Sequence, residues 1–476
     1  MSGQRFENVV IGSGPGGATT AHLLAEHGKQ VLLLEEGPDL PLESCEPFGV
    51  EEMTQKYRAG GLNPALGNAK VAFVEGRTVG GGSEINSGLY HRTPPEMLER
   101  WRTEFQLRQS GEEDLQPHFR YCEEALEVGT YPGPIPLASR KLEQGAGHLG
   151  WRVLEVPRWF RYDGTTGPDG CPRGTRQSMS KTFVPRALRA GATLMADSRV
   201  QRLRREGNRW MVDIAQRGKT LRVEADTVFV CGGAVQTPLL LRRSGITRNV
   251  GNSLAMHPTV KAVALFDEQV NHEALGVAVH QVKEFSPRIG FGCSISSPPH
   301  LALALSDYPA SAPLVKSQWR HMAIYYAMIT GPHAGSVRGV FGLPDPLIRY
   351  QLSERDLRDL ATGLRHLSKL LLAAGARTVY PCLPGAREIH AEDELTKIPG
   401  TLAAGRANLM TIHLFSSCPM GEDQDRCAVD SMGRMHGMPG LVVNDASLIP
   451  TAMGVNPQGT VMALARRNTL HALGEL

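Results

Sequence analysis

Two apolar runs near the amino terminus predict buried β-strands at residues 9–11 and 30–35. Runs of Val, Ile and Leu are typical of parallel strands that are buried on both faces. The intervening segment, residues 16–27, has small side chains such as Ala18 and Ala21, which would let a helix lie close to the sheet. The pattern therefore predicts a strand–helix–strand unit, the building block of an α/β fold.

The middle of the chain contains shorter alternating runs, which predict a meander of strands between residues 194 and 223. A continuous apolar run at residues 227–231 follows the meander and leads into a pair of glycines. We expect a helix after these glycines, with Thr237 as its N-cap and Pro238 at its first position.

Residues 259–404 have a different pattern. The runs 260–266, 301–305 and 322–328 predict strands, and residues 353–375 predict one long amphipathic helix. Strands that follow each other without alternating helices indicate an antiparallel sheet. We therefore expect a second domain here, with a sheet of its own.

A glycine motif follows the first predicted strand. Gly12, Gly14 and Gly17 have the spacing G-x-G-x-x-G, and Glu35 ends the second predicted strand 18 residues after Gly17. Glycines at these positions allow a tight turn and a close approach of the backbone to a pyrophosphate, and an acidic residue at this distance can bind ribose hydroxyls. The combination predicts a Rossmann-like dinucleotide site, and its place at the start of a long chain favours FAD over NAD.

A second glycine cluster lies in residues 76–86, where three glycines are consecutive. Such a run suggests a backbone that is pressed against a flat or charged ligand. A flexible surface loop is the alternative. The neighbouring Val79, Ile85 and Leu89 are more apolar than a solvated loop requires, and they favour the ligand site.

The composition mainly excludes other classes of protein. The 476 residues suggest about two domains. The net charge of +3, from 51 basic and 48 acidic residues, argues against binding to nucleic acid or to an acidic membrane surface. No apolar run is long enough for a membrane span and no signal peptide precedes the first strand, so we expect a cytoplasmic protein. The eight cysteines form no C-x-x-C pair, so no metal site is predicted.

Two polar side chains near the carboxyl terminus are candidates for chemistry. His413 lies in an apolar run, and Asn456 and Pro457 are expected to be the N-cap and first residue of a helix. A single histidine in such a run more often packs in a core than takes part in a reaction. The residues by themselves therefore make only a modest case for a redox site.

These motifs together resemble the glucose–methanol–choline (GMC) family of FAD-dependent oxidoreductases. One family signature is matched by residues 76–99, with Thr93 where a small residue is usual. The other is matched by residues 233–246, with Thr247 in place of a final glycine. Residues 260–340 carry none of the resemblance.

The resemblance implies a cofactor site drawn from the whole chain. It assigns the ADP half of FAD to Gly12, Gly14, Pro15, Gly17 and Glu35, the adenine to the backbone of Val200, the pyrophosphate and ring to Gly81, Ser83 and Asn86, the ribityl chain to Asp445 and Ala446, and the flavin N1–C2=O edge to the helix that begins at Pro457. Some family members attach their flavin through a histidine just before the signature asparagine. Ile85 has that position here, so we expect non-covalent FAD.

The resemblance also implies a reaction. His413 has the position of the family's catalytic histidine and Asn456 that of its His or Asn partner. We expect His413 to accept the hydroxyl proton of an alcohol while hydride passes to flavin N5, and Asn456 to donate a hydrogen bond to the substrate oxygen. A lyase of the hydroxynitrile type, a light-driven decarboxylase and a protein that keeps FAD only for its structure are the alternatives. Oxygen, a quinone or a cytochrome is expected to reoxidise the flavin.

The predicted fold class is therefore α/β, with a Rossmann-like FAD-binding domain interleaved with an α+β substrate domain built on an antiparallel sheet. We expect the FAD-binding domain to comprise residues 1–95, 180–258 and 405–476. Residues 96–179 and 259–404 are expected to form the substrate-binding domain.

Overall fold

The computed structural model describes residues 3–166, 171–272, 279–308, 311–331 and 335–476. In these residues, one sheet of seven strands and another of eleven account for most of the strands. The first sheet has a parallel centre, and the second is mainly antiparallel. This arrangement confirms the predicted α/β fold class.

The strand Arg5–Ile11 forms the centre of the seven-stranded sheet. It pairs in parallel with Val31–Leu34 on one side and with Lys219–Val230 on the other. Its central side chains Val9 and Val10 are fully buried, as the apolar run predicts. The other strands of this sheet are Thr193–Met195, Ser198–Glu206, Arg209–Gln216 and Leu441–Val443.

The eleven-stranded sheet contains the long antiparallel pair Thr259–Leu265 and Met322–Ile329. Its other strands in the described part are Asn63–Leu66, Val71–Phe73, Val153–Glu155, His280–Val282, Ile289–Cys293, Gly335–Arg338, Leu347–Tyr350, Thr378–Pro381 and Leu409–Thr411. Two small sheets complete the set, and they consist of Ala255–Met256 with Leu414–Phe415, and of Val128–Gly129 with Arg158–Thr166 and Pro172–Arg176.

The helices cover the two large sheets. The first and last α-helices, Pro15–Glu26 and Gln458–Leu473, pack on each other. The helix Glu354–Ala373 begins at a capping box, in which Ser353 and Asp356 bond each other's backbone, and it buries its leucines against the eleven-stranded sheet. The remaining α-helices in the described residues are Val50–Lys56, Pro95–Glu104, Glu112–Leu126, Leu137–His148, Phe183–Arg189, Gly233–Arg243, Pro298–Ala304 and Ser311–Gln318.

Four local predictions were wrong. The strand Thr193–Met195, predicted as the start of the meander, instead pairs in parallel with Val31–Leu34 at the edge of the seven-stranded sheet. Residues 301–305, predicted as a strand, lie in the helix Pro298–Ala304 and its C-cap, because a short apolar run has no decisive period and Leu and Ala favour helices. The helix predicted to begin after Thr237 already begins at Gly233. The last helix begins at Gln458 with Pro457 as its N-cap, one residue later than expected, and Asn456 does not cap it.

The predicted division into domains stays a prediction. The seven strands of the parallel-centred sheet all lie in segments assigned to the FAD-binding domain. Three strands from those same segments, Asn63–Leu66, Val71–Phe73 and Leu409–Thr411, join the eleven-stranded sheet. The segments predicted to form the FAD-binding domain therefore contribute strands to both large sheets, which the sequence did not suggest.

Across the described ranges, no helix is both long and apolar enough to cross a membrane.

Candidate active site

A cleft opens at the carboxyl ends of the parallel strands, where open α/β sheets bind ligands. The terminal strand residues Ile11, Leu34 and Val230 line it. The cleft runs from the first glycine turn to the polar side chains near the carboxyl terminus. The predicted site residues that line it are Gly12, Gly14, Pro15, Glu35, Gly81, Asn86, Val200, His413, Asp445, Ala446, Asn456 and Pro457.

Two predicted site residues, Gly17 and Ser83, are not in the lining of this cleft. A Cβ atom on Gly17 would lie 1.8 Å from the carbonyl oxygen of Gly12, so this glycine lets the helix pack against the turn. The buried Ser83 hydroxyl donates to the carbonyl of Gly80 over 2.7 Å. Both residues support the wall of the cleft from behind and do not form its surface.

The first glycine turn lets other backbone segments lie very close to it. Gly12 has φ +99°, and a Cβ atom there would lie 2.4 Å from the carbonyl oxygen of Cys231. Gly14 is the N-cap of the helix Pro15–Glu26, and no side chain caps the free N–H groups of the first turn. These N–H groups and the helix dipole favour a phosphate at this end of the cleft.

Glu35 ends the second strand and organises the turn. Its carboxylate accepts hydrogen bonds from the backbone N–H and the hydroxyl of Ser13, over 3.0 and 2.6 Å, and from the N–H of Gly37 over 2.8 Å. Burial raises its pKa, and these hydrogen bonds oppose that shift. Both bonds from Ser13 go to Oε2 and the bond from Gly37 goes to Oε1, so a lone pair is left on Oε1 that a ribose hydroxyl could use.

The two glycine segments, distant in sequence, contact each other in the cleft. A Cβ atom on Gly81 would lie 2.8 Å from the Cα atom of Gly14. The Gly80 N–H also donates to the Ser13 hydroxyl over 3.0 Å, and that hydroxyl donates to Glu35. The backbone of both segments therefore forms one surface, which only glycines allow.

Asp445 uses its carboxylate inside the protein. It accepts hydrogen bonds from the N–H of Gly233 over 2.7 Å, from the Thr237 hydroxyl, and from the N–H of Ser447 over 2.8 Å. Burial raises the pKa of Asp445, and the hydrogen bonds from these three residues oppose that shift without cancelling it. Thr237, which was expected to be a helix N-cap, lies inside the helix Gly233–Arg243 and donates its hydroxyl to Asp445. This hydrogen bond holds the helix beside Asp445 and Ala446, which line the cleft.

Asn86 connects the second glycine segment to the last helix. Its side-chain N–H donates to the side-chain oxygen of Gln458 over 2.8 Å, and its own oxygen accepts from the N–H of Gly88 over 3.0 Å. Gln458 is the first residue of the last helix. The hydrogen bond therefore holds the start of that helix beside the cleft.

Sequence reasoning missed a charged cluster around Arg58, which lines the cleft together with Glu36 and Glu75. The buried guanidinium contacts Glu36 over 2.8 Å, Glu75 over 3.4 Å and Asp345 over 3.0 Å. Burial raises the pKa of Glu75 to about 7, although the charge of Arg58 opposes the shift. No spacing in the sequence brings these residues together. Other lining residues that we did not predict include Gly82, Ser87, Arg199, Gln236, Arg243, Ile412 and Val461.

His413 meets Asn456 at the opposite end of the cleft, although 43 positions separate them in the sequence. The Nε2 atom of His413 lies 3.3 Å from the Nδ2 atom of Asn456. The Oδ1 atom of Asn456 accepts a hydrogen bond from Nε2 of Gln281 over 3.2 Å. Two nitrogen groups therefore face the cleft side by side, where they could hold one substrate oxygen.

The histidine of this pair is partly buried, and its imidazole is neutral at pH 7. Burial, with a smaller contribution from the positive charge of Lys283, lowers the pKa of His413 to about 4. A neutral imidazole has one N–H and one lone pair. The nitrogen that carries the proton therefore determines whether Nε2 can accept a proton or donate a hydrogen bond.

Sequence reasoning also missed His257, which lies directly behind His413. Their Nδ1 atoms are 3.0 Å apart, and the two rings are nearly perpendicular at 87°. The short strands Ala255–Met256 and Leu414–Phe415 pair with each other and bring the two histidines together. A histidine after a short apolar run gave no signal that could be separated from core packing.

The residues of the cleft fit a flavin dinucleotide. Backbone without Cβ atoms, an uncapped helix start and a buried acid stand at one end, which suits a pyrophosphate and a ribose. The histidine and asparagine stand at the other end. By contrast, no group of three or more His, Cys, Asp or Glu side chains in the described ranges could hold a metal ion.

Two family models of GMC oxidoreductases match this chain, one over residues 11–259 and the other over residues 334–465. The chain belongs to the GMC oxidoreductase family. GMC oxidoreductases are FAD-binding proteins.

Relatives of this GMC oxidoreductase span nearly its whole length. An uncharacterised GMC-type oxidoreductase of Sinorhizobium fredii is 39% identical over 470 residues, which are 96% of this chain and 93% of the relative. A long-chain-alcohol oxidase of Arabidopsis thaliana is 26% identical over 96% of this chain and 66% of its own. The crystal structure of a pyridoxine 4-oxidase has the same fold, with a TM-score of 0.76 and 22% identity over 98% of this chain and 99% of that one.

Proposed function

We propose that this GMC oxidoreductase binds FAD non-covalently and oxidises the CH–OH group of an alcohol to a carbonyl. The observation that carries the proposal is the 3.3 Å approach of His413 Nε2 to Asn456 Nδ2 in the same cleft that contains both glycine segments. Bound FAD supplies the oxidant, which accepts hydride from the carbinol carbon. The chain itself binds the cofactor and orients the alcohol.

The proposed cofactor contacts follow the cleft from end to end. The turn at Gly12 and Gly14, with the start of the helix at Pro15, would hold the pyrophosphate, and Glu35 would bind the ribose. Val200 lies in the wall of the cleft, and its backbone would contact the adenine. At the flavin end the proposed contacts come from Gly81, Asn86, Asp445, Ala446 and the helix that follows Pro457, whose partial positive charge would stabilise negative charge on the ring by up to about 2 kcal/mol.

The alcohol is proposed to bind with its oxygen between His413 and Asn456. Orientation of the carbinol carbon toward the flavin should contribute strongly to the rate, because reactants held in position behave as at very high effective concentration. The relative from Arabidopsis is named for long-chain alcohols. An acyclic alcohol with an apolar chain is therefore our proposed substrate class.

Anaerobic mixing of the FAD-loaded protein with a panel of alcohols tests the function. Loss of the oxidised flavin absorbance, with a carbonyl product, supports alcohol oxidation. Cleavage of a cyanohydrin without a change in absorbance would favour the lyase, and decarboxylation under light would favour the decarboxylase. Admission of air, or addition of a quinone or cytochrome, then identifies the electron acceptor.

We expect FAD to be released when the protein is precipitated with acid. Ile85 precedes the signature residue Asn86 and has no nucleophilic atom, so it cannot form a bond to the flavin. The measurement is the flavin absorbance of the supernatant and of the washed precipitate. Yellow colour that stays with the precipitate would show a covalent bond to another residue.

We expect Asn456→Ala to slow flavin reduction by about a hundredfold, at the low end of the about 10²–10³ in rate that loss of one preorganised hydrogen-bond donor typically costs. The effect should be smaller than that of a change at His413. Stopped-flow reduction by the best alcohol of the panel measures it. Asn456→Asp is the matched control, since it keeps the shape of the side chain but removes the N–H donor, and it should be at least as slow. If Asn456→Ala reduced its flavin at the wild-type rate, Asn456 would have no part in the reaction.

A further inference from the structure

One face of the eleven-stranded sheet continues the site beyond Asn456. Gln281, in the strand His280–Val282, donates to the side-chain oxygen of Asn456 over 3.2 Å, and its side-chain nitrogen lies 3.1 Å from the hydroxyl of Tyr326. Successive residues of a strand point to opposite faces of a sheet. Val282, the next residue, packs on the other face in the same core cluster as the leucines of the helix Glu354–Ala373. The face with Gln281 is therefore the one that meets the site.

Two glycines in the neighbouring strand Ile289–Cys293 leave room on this face. Gly292 pairs with Gln281, and Tyr326 covers it, since a Cβ atom on Gly292 would lie 2.5 Å from the tyrosine hydroxyl. Gly290 pairs with Met328 and is buried, yet a Cβ atom there would meet no atom of the described residues within 4 Å. There is therefore space for a ligand group beside Tyr326.

Lys283 lies at this space. It follows the strand His280–Val282 directly and comes two residues after Gln281, so its side chain is expected on the same face. The strand pairs Gln281 with Gly292 and Val282 with Phe291, and one further step of this antiparallel register places Lys283 opposite Gly290. Its backbone N–H donates to the carbonyl of Arg152 over 2.9 Å, which extends the strand to this residue.

The charge of Lys283 reaches the residues of the proposed reaction. It lowers the pKa of His413, of His257 behind it, and of His91, which lie on three separate segments of the chain. Burial lowers the pKa of Lys283 itself to about 8, so the ammonium group is still mainly protonated at pH 7. A positive charge therefore stands close to the pair of His413 and Asn456.

No side chain of the described ranges neutralises this charge, because the ammonium group has neither an ion pair nor a hydrogen bond there. The adjacent Glu284 instead accepts from the backbone N–H of Arg152 and contacts its guanidinium group. His91 is only 7% exposed, and its Nε2 atom also has no hydrogen-bond partner in the described part of the chain. Buried charges are normally paired, so this arrangement indicates an anion that comes from outside the protein.

We propose that Lys283 binds an anionic group of the substrate, and that this substrate is a hydroxy acid whose carboxylate lies at Lys283 while its hydroxyl group lies between His413 and Asn456. The inference rests on the proposed alcohol oxidation and deepens it, since it adds an acidic end to the acyclic chain proposed above. Lys283 binds and orients the substrate and takes no part in the transfer of proton or hydride. Hydrogen bonds between an ammonium group and a carboxylate are about twice as strong as those between neutral groups.

The first test uses the unaltered FAD-loaded protein. Its anaerobic flavin reduction is measured by stopped flow with straight-chain hydroxy acids that carry a terminal hydroxyl group, from glycolate to hydroxyhexanoate. Each acid is compared with the diol of the same length, which has the same hydroxyl group but no charge. We expect an apparent Kd for the best hydroxy acid that is lower by at least about tenfold than that of its diol. Equal values for every pair, or tighter binding of the diols, would overturn the inference.

Lys283→Met tests the assigned residue, since it keeps an unbranched side chain without the charge. Loss of a hydrogen bond to a charged group should lower the preference for hydroxy acid over diol by about 10–100-fold. Lys283→Arg, which keeps the charge, should retain most of the preference. An undiminished preference in Lys283→Met would assign the anion to another residue and contradict the proposal.

Lys261→Met is the matched control. Burial also lowers the pKa of Lys261, which lies in the strand Thr259–Leu265 of the same sheet. Its charge, however, reaches His300 in the helix Pro298–Ala304 and none of the histidines near the site. This variant should keep both the reduction rate and the preference of the wild type. A loss of preference equal to that of Lys283→Met would show a general effect of charge and contradict a specific contact.

Calorimetric titration with unsubstituted straight-chain carboxylates of the same lengths measures binding without turnover. We expect the carboxylate to bind the FAD-loaded wild type and to bind Lys283→Met at least about tenfold more weakly. If no hydroxy acid or diol reduced the flavin but this difference were found, the proposed function would fail while the carboxylate site held. Equal binding to both proteins would overturn the carboxylate site even if alcohols were oxidised.

Discussion

Replacement of His413 by alanine should leave FAD bound and slow its reduction by at least two orders of magnitude. The side chain lies beside Asn456, in the part of the cleft proposed to hold the flavin, and not among the residues proposed to bind the pyrophosphate, so the cofactor should stay. Loss of one preorganised donor to a developing oxyanion typically costs about 10²–10³ in rate, and loss of a general acid–base group costs about 10²–10⁴. Both the donor and the acceptor role of His413 therefore predict a large effect.

The measurement is the anaerobic reduction rate at saturating alcohol, together with the ratio of flavin to protein absorbance. His22→Ala is a useful control, because this histidine is buried and bonds Tyr121, outside the lining of the cleft. It should keep a reduction rate close to wild type. If His413→Ala reduced its flavin within threefold of wild type, His413 would have no part in the reaction.

Gly17→Ala is expected to have the largest effect on cofactor binding. The added methyl group would lie 1.8 Å from the carbonyl oxygen of Gly12 and 3.1 Å from the side chain of Cys231. The first neighbour is backbone and cannot rotate away, so the helix has to move off the turn. Overpacking of this kind costs about 1–3 kcal/mol in stability, and the displaced turn should no longer fit a pyrophosphate. We expect a protein that purifies largely without flavin.

The matched control is Gly147→Ala, in the helix Leu137–His148. A Cβ atom on Gly147 would meet nothing within 4 Å, and this glycine is exposed. Alanine is favoured over glycine inside a helix by about 1 kcal/mol, so the control should be as stable as wild type or more stable, with a full complement of FAD. Flavin content and the thermal unfolding midpoint compare the two. A Gly17→Ala protein with normal flavin content would show that close packing at this turn is unimportant.

The first glycine motif was readable because its requirements are local. A turn, a helix start and a buried strand end lie within 36 residues, and each leaves a pattern in side-chain size or hydrophobicity. The long antiparallel pair and the leucine-rich helix of the second sheet were readable for the same reason. The run at residues 301–305 failed because five apolar residues fit a strand and a helix equally well.

The tertiary structure decided the parts of the site that depend on distant segments. Gly81 meets Gly14, and Arg58 meets Glu75 and Asp345, only because separate strands and loops converge. His257 is the clearest case, since it contacts His413 and accepts hydrogen bonds from two backbone N–H groups almost 200 positions away.

The sequence by itself determined the family, the dinucleotide turn and the two polar residues at the far end of the cleft, because each corresponds to a residue type at a fixed spacing. The positions of protons and the choice of hydrogen-bond partners have no such pattern. They depend on distances of about 3 Å between groups that only the folded chain brings together.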